Sequence, residues 1–284
     1  MIRVKAPAKI NLSLAVTGKQ LYFHDVELVM TTIDLADYIT VSILPASDGI
    51  IIKSECAVMP RGKSNLIYQA AKLFMKQFNI KSGVEIEVEK NIPIAGGLAG
   101  GSSDAAATFK GLRELFNIDC TDEELCALGA KIGSDIPFCI IGGTALATGR
   151  GEIITPIKSM PKCFTIIVNP RMSASTRDIY AGFRLENADY INTKAMVDAI
   201  ENEDFNEICA LLANNLEPVT TEIFPVINDI KKELIANGAN GVRMSGSGPT
   251  VFALVYTEKK AKHLYNQMKK TFPSYNVHMA RILG

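Results

Sequence analysis

The chain has 284 residues, 48% of them hydrophobic, enough to bury a sizeable core in one large domain or two ordinary ones. Thirty basic side chains balance thirty acidic ones, so no global charge draws the chain to nucleic acid or to an anionic membrane. Apolar runs are short and broken by charge, which excludes a bilayer-spanning helix. The six cysteines are scattered and form no CxxC pair, so they read as free thiols of a reducing cytosol.

Patterned sequence starts at Met1-Ile2-Arg3, so no targeting segment is expected and the expected location is cytoplasmic. Val4, Ala6, Ala8, Ile10, Leu12 and Leu14 alternate with Lys5, Pro7, Lys9, Asn11 and Ser13, which predicts a strand with one apolar face. Val26–Thr32 and Tyr38–Leu44 read as two further strands joined by a turn at Leu35-Ala36-Asp37. Ser64 is the expected cap of a helix striped by Leu66, Ala70, Leu73 and Phe74. Val84, Ile86 and Val88 alternate with glutamates in another strand. A helix is expected from about Ser103 to Phe116. The capping box Thr121-Asp122-Glu123-Glu124 opens a helix expected to end near Gly133, and Thr144–Thr148 reads as a return strand.

The pattern restarts near Met160. A strand at Cys163–Val168 is followed by helical patterns over about Lys194–Ile200, Phe205–Asn214 and Glu222–Asn237. Strands Val242–Ser245 and Val251–Tyr256, helix Glu258–Thr271 and strand Asn276–Ile282 complete the chain. We place a boundary near residue 158, giving segments 1–158 and 159–284. Both mix strands and helices without strict alternation, so the fold class is α+β.

The strongest chemical signal is Pro93-Ile94-Ala95-Gly96-Gly97-Leu98-Ala99-Gly100-Gly101-Ser102-Ser103, between a strand and a helix. Glycine permits positive φ and close approach of a ligand to the backbone. Successive free amides and the helix N-terminus after them form an anion site that needs no net positive charge. The loop ends in no GK[ST] and is not GxGxxG, because its glycines come as two pairs. The competing reading, a surface turn capped by Ser102 or Ser103, leaves two glycine pairs without a purpose.

Three segments together resemble the GHMP small-molecule kinases: Lys5-Ala6-Pro7-Ala8-Lys9-Ile10-Asn11-Leu12, the loop with Asp104-Ala105-Ala106 after it, and Ser245-Gly246-Ser247-Gly248-Pro249-Thr250. The resemblance spans essentially the whole chain. It implies a two-domain architecture, an N-terminal domain like domain 2 of ribosomal protein S5 and a C-terminal ferredoxin-like domain, with ATP and Mg2+ as expected cofactors. Within the family, Met30-Thr31-Thr32-Ile33-Asp34-Leu35 and Gly133-Ser134-Asp135-Ile136-Pro137-Phe138 imply a small-molecule substrate carrying a cytidine diphosphate group, with no nucleic-acid or membrane partner.

Residue by residue, the resemblance implies that Lys9 is the catalytic lysine. By pattern alone it would be an ordinary exposed lysine on the polar face of the first strand. Asp135 is implied as the catalytic aspartate, kept ionised by Lys9; its plainer reading is a helix N-cap before Pro137. Asn65 is implied to hold the adenosine end, with a helix cap as the alternative. For the acceptor, Asn11, Phe23, His24, Thr176 and Tyr180 are implied, the aromatics sandwiching a base that His24 contacts at its edge. Here the run Leu21-Tyr22-Phe23-His24 departs from the family's Gly-Tyr-His. The resemblance names no metal ligand and no oligomeric state. Another GHMP kinase of the homoserine or mevalonate type, and a nucleotide-binding sensor without catalysis, stay open as alternatives.

Overall fold

The computed structural model describes residues 1–20, 23–45, 49–60 and 62–283. In chain order the elements begin with β1 (Ile2–Lys19), β2 (His24–Leu44), β3 (Ile50–Lys53), α1 (Leu66–Gln77), β4 (Gly83–Glu89), α2 (Gly100–Leu115), α3 (Asp122–Gly129) and α4 (Ile136–Ile141). Next come β5 (Thr144–Thr148), β6 (Ile153–Pro156), β7 (Phe164–Asn169), α5 (Thr176–Gly182), α6 (Thr193–Glu201), α7 (Phe205–Ala210), β8 (Ala213–Asn214), α8 (Glu217–Ile223) and α9 (Val226–Ala236). The chain closes with β9 (Gly241–Met244), β10 (Val251–Val255), α10 (Glu258–Thr271) and β11 (Asn276–Leu283).

These elements form two compact units that interleave along the sequence. The first comprises Met1–Ala8, Ala36–Ile94 and Ala99–Ile141; the second comprises Lys9–Leu35, Ala95–Leu98 and the chain from Gly142 onward. Strands β1 and β2 therefore each pass from one unit into the other.

In the first unit, β4 pairs antiparallel with Tyr38–Leu44 of β2 and parallel with β3. Val84, Ile86 and Val88 point into the core while the intervening glutamates face outward, as the period-2 pattern requires. Ile67, Ala70, Ala71 and Phe74 of α1 and Ala105, Phe109 and Leu112 of α2 fill the same core. Gly111 lets α2 lie against the sheet, because a Cβ there would come within 3.0 Å of the Val41 side chain.

In the second unit, β11, β7, β10 and β9 form an antiparallel sheet in that order, with β10 buried along its length. Ile227, Ile230 and Leu234 of α9 and Ala261, Leu264 and Met268 of α10 pack on it at helical spacing. Around this sheet, β5 pairs with Leu28–Thr31 of β2, β6 with β5, and β8 runs parallel to β1 at Ser13 and Leu14. Antiparallel pairing dominates, in line with the α+β expectation. Among the described residues, no helix is long and apolar enough to cross a membrane.

Several boundaries differ from the sequence reading. Residues 24–44 form one strand without a turn. The carboxylate of Asp34 accepts from the Arg281 amide, and that of Asp37 accepts from the Asn91 and Ile92 amides. The acidic residues that read as a turn thus satisfy neighbouring backbone at the stretch where β2 leaves β11 for β4. The cap of α1 is Asn65 rather than Ser64. Helix α2 begins at Gly100 and α3 ends at Gly129, while the expected helices over 205–214 and 222–237 are shorter and joined differently, as α7, α8 and α9.

Candidate functional site

The glycine-rich loop opens onto α2 without a capping side chain. Ala99, the residue before the helix, lies in the left-handed region with φ 55° and makes no cap hydrogen bond. Ser103, one of the two serines that would cap a plain turn, instead donates from its hydroxyl to the Pro7 carbonyl at 2.7 Å. The first-turn amides of Gly100, Gly101 and Ser102 have no helical acceptor and sit at the positive end of a helix of 16 residues. This is the donor set a phosphate group requires.

Glycine's role in the loop differs from the expectation. Positive φ occurs at Ala95 (51°), Gly97 (77°) and Ala99 (55°), so two of the three left-handed positions carry alanine. Backbone held this way against side-chain preference marks a site whose surroundings over-determine it. Gly100 is needed for room: a Cβ there would meet the Ile92 side chain at 3.1 Å.

Within the first unit, α1, α2 and α4 bring their starts together. A Cβ on Gly101 would lie 3.6 Å from Leu66, the residue after Asn65, and one on Gly133 would lie 4.0 Å from the Ser102 hydroxyl. Asn65 is committed to capping α1: its Oδ1 accepts from the Ile67 amide at 2.8 Å and its Nδ2 donates to the Pro60 carbonyl. Half-buried Asp135 immediately precedes α4 and accepts from the Cys139 amide through its carbonyl at 3.1 Å.

Within the second unit, Lys9 is 4% exposed, which overturns the ordinary surface lysine that pattern alone predicts. Its ammonium donates to Asn11 Oδ1 at 2.6 Å, and its amide donates to the Leu98 carbonyl at 3.2 Å. The Asn11 amide donates to the Ser245 hydroxyl, which itself donates to the Gly97 carbonyl at 2.9 Å. Any side chain at Gly97 would run into the Ser245 carbonyl oxygen. Asn214 holds the far side of this turn by donating to the Met244 and Gly246 carbonyls. Strand, loop and Ser245–Gly248 turn are therefore one hydrogen-bonded assembly. It leaves Asn11 Nδ2 buried without a hydrogen-bond partner.

The predicted acceptor residues fall in the same unit. His24 lies 5.2 Å, centroid to centroid, from Tyr180 and 6.0 Å, edge-on, from Phe183. Its Nε2 is buried with no partner. Burial and the nearby Lys19 hold its pKa below the ordinary histidine value, against the opposing pull of Asp25. Thr176 begins α5 and shares a hydrogen bond with Ser247 at 2.9 Å, which ties the helix of Tyr180 to the loop-bracing turn. Phe23 is 51% exposed, and the Arg150 guanidinium lies 4.8 Å from its ring centroid. Leu21 and Tyr22 of the altered run lie outside the described residues.

Sequence reasoning missed Phe183 and Arg150. It also missed a buried ion cluster: Lys90 donates to Asp37 and, at 2.7 Å, to Asp104 Oδ2. Asp104 is thereby turned into the protein, and no metal ligand is assigned to it. Among the described residues, no group of three or more His, Cys, Asp or Glu side chains could hold a metal ion.

Known proteins place these features in one class. The GHMP kinases N terminal domain matches residues 65–143 and the GHMP kinases C terminal domain matches 196–274. A 4-diphosphocytidyl-2-C-methyl-D-erythritol kinase of Exiguobacterium sibiricum is 48% identical over 284 residues, covering 100% of this chain and 98% of its own. One from Geobacillus kaustophilus is 49% identical over 269 residues, covering 94% and 93%. A crystal structure of 4-(cytidine 5'-diphospho)-2C-methyl-D-erythritol kinase superposes with a TM-score of 0.83 at 27% identity over 100% of both chains. Homoserine kinase from Cytophaga hutchinsonii shares the fold, with a TM-score of 0.81 at 19% identity over 99% of this chain and 94% of its own.

Proposed function

The chain belongs to the GHMP kinase family, and from that premise we propose that it is a cytoplasmic ATP-dependent kinase acting on the 2-hydroxyl of 4-diphosphocytidyl-2-C-methyl-D-erythritol, a step toward isoprenoid precursors. The observation that carries the reading is the buried Lys9, hydrogen-bonded to Asn11 and anchored by its amide to the carbonyl of Leu98 in the glycine-rich loop. A desolvated ammonium stabilises charge on the attacking oxygen and the transferred phosphoryl group far better than it would in water. Near-half identity to kinases of this name over the whole chain supports the choice of acceptor. The matched family segments fall on either side of residue 158, which supports two family segments in the sequence, 1–158 and 159–284, although the compact units interleave.

In this reading the amides of Gly97–Ser102 receive the phosphates of ATP. Asp135 accepts the proton of the substrate hydroxyl, with its backbone fixed at the start of α4. Phosphoryl transfer demands chiefly positioning and charge stabilisation, so a lysine, an aspartate and a cradle suffice. Mg2+ neutralises phosphate charge when it is bound. The residues present fit a metal that arrives on the nucleotide and keeps several waters, since Asp104 is engaged by Lys90 and the Ser103 hydroxyl by Pro7. His24, Tyr180 and Phe183 form an aromatic wall with an unpartnered nitrogen, suited to the face and edge of a cytosine base.

The test is ATP consumption with Mg2+ and a panel of alcohols: the cytidyl substrate, its cytidine-free analogue, homoserine and mevalonate. Turnover confined to the cytidyl substrate is the expected result. Turnover with another alcohol moves the chain elsewhere in the family, and ATP binding without turnover makes it a sensor.

A further inference from the structure

The glycine-rich loop leaves β4 through Lys90, Asn91 and Ile92 and returns at Gly100, with Asp104 one turn into α2. Both ends meet one group of side chains. Asp37 accepts from the amides of Asn91 and Ile92, the latter at 2.8 Å, and so fixes the outgoing chain. The same carboxylate accepts from Lys90, whose ammonium reaches across to Asp104 Oδ2 at 2.7 Å. The three side chains are 0%, 7% and 3% exposed for Asp37, Lys90 and Asp104. A Cβ on Gly100 would lie 3.5 Å from the Lys90 nitrogen, so the ammonium sits directly beneath the first residue of α2.

We propose that Lys90, Asp37 and Asp104 are positioning residues that clamp the entry and exit of the glycine-rich loop to one another and thereby set how tightly the nucleotide phosphates bind. The proposal rests on reading the loop as the nucleotide site. A purely structural ion pair does not account for the composition. Two carboxylates face one ammonium, and Asp104 Oδ1 is buried with no partner. A buried ion cluster is a poor source of net stability, and replacing one whole by well-packed apolar side chains is often neutral. What an apolar substitute cannot supply is the link from β4 to α2. Burial, with Asp37 adding to it, lifts the Asp104 carboxyl to about 7 against the pull of Lys90. Asp104 is therefore strained as an acid yet held as a connector.

The clamp acts through the loop, so its loss should appear in ATP binding and not in the chemical step. The variants are Asp104→Leu, which severs the link, and Asp104→Asn, which keeps a hydrogen-bond acceptor for Lys90. Asp104→Leu is expected to raise KM for ATP roughly tenfold, the scale of one lost charge-assisted hydrogen bond, with kcat and the KM of the alcohol within about twofold. Asp104→Asn is expected to restore the ATP KM. Hydrogen exchange supplies the independent check: in wild type, ATP should protect residues 93–103, and in Asp104→Leu without nucleotide these amides should exchange faster. An unchanged ATP KM in folded Asp104→Leu overturns the clamp, as does an Asp104→Asn variant equally impaired in both KM and Tm. Absence of ATP protection over 93–103 in wild type instead refutes the loop reading itself. If Asp104→Leu does not fold, Lys90→Arg, which keeps the charge and alters the reach, takes its place, and an unmoved ATP KM there sinks the idea equally.

Discussion

The loop-and-turn assembly around Lys9 and the aromatic wall around His24 differ in what holds them. The first is built from backbone: the Lys9 amide donates directly to the Leu98 carbonyl, and the Asn11 amide and the Gly97 carbonyl are joined through the Ser245 hydroxyl, with all of the side chains involved buried. The second is built from ring contacts at 5–6 Å between a half-buried histidine, a short helix and its end, with Phe23 open to solvent. A backbone-built site tolerates almost no change, whereas a wall of rings can be re-surfaced one side chain at a time. Under the proposed function, the chemistry sits in the rigid part and the choice of acceptor in the adjustable part.

Substitutions should separate the two regions by size of effect. Lys9→Met is expected to lower kcat by on the order of 10³-fold while leaving ATP binding nearly intact, measured by steady-state kinetics beside nucleotide titration. Gly97→Val would drive a side chain into Ser245 at positive φ, with overpacking of about 1–3 kcal/mol added to about 1–2 kcal/mol of backbone strain. Thermal unfolding and the ATP KM should both move, and a variant as stable and active as wild type would break the contrast. Tyr180→Ala should raise the KM of the cytidyl substrate roughly 10- to 100-fold, from the loss of about 1–3 kcal/mol of base stacking, with the ATP KM unchanged.

The two regions should also titrate apart. His24, with its pKa held low, is neutral at neutral pH and gains a proton only on the acid side of the ordinary value of 6.5. The KM of the cytidyl substrate should therefore rise as pH falls below that value, and His24→Gln should flatten the profile. Asp104 is lifted from 3.8 to about 7, so the folded state holds its proton more tightly than the unfolded chain does. Its contribution is fully present below 3.8 and is lost as pH rises through about 7; Asp104→Asn should remove that part of the stability profile. The smallest expected effect is that of Phe23→Leu. It gives up an exposed ring under Arg150 at a cost of about 0.5–1 kcal/mol, seen as a few-fold change in the cytidyl KM and nowhere else.

What the sequence revealed follows the same division. Paired glycines, the alternation of β4 and the capping box of α3 are local signals, and the structure places the strand and the starts of the helices close to expectation. The burial of Lys9 was not legible, because nothing in a period-2 pattern says that a polar face will be covered; the resemblance implied a catalytic role for it and not its burial. Lys90 gave no signal at all: its partners lie 53 and 14 residues away, and a lysine after a run of glutamates reads as solvated surface. The same long-range pairing hid the continuity of β2. Asp34 and Asp37 look like turn residues until the amides they serve, 247 and 54–55 residues away in sequence, are in place. Phe183 follows Gly182 at the end of a helix too short for its periodicity to stand out.

The interleaving of the two units bears on synthesis of the chain. The first unit is complete once Ile141 has emerged, whereas Thr32 and Ile33 of β2, made early, pair with Leu283 and Ile282 in the last strand to be made. Contacts of such sequence separation carry a large loop-closure cost and form late. During translation Leu28–Thr31 can pair as soon as β5 is made, whereas Thr32 and Ile33 wait for their β11 partners until the end of the message. A ribosome stalled between Ile141 and the final eight-residue strand would hold a finished first unit attached to a second unit that still lacks one strand of its sheet.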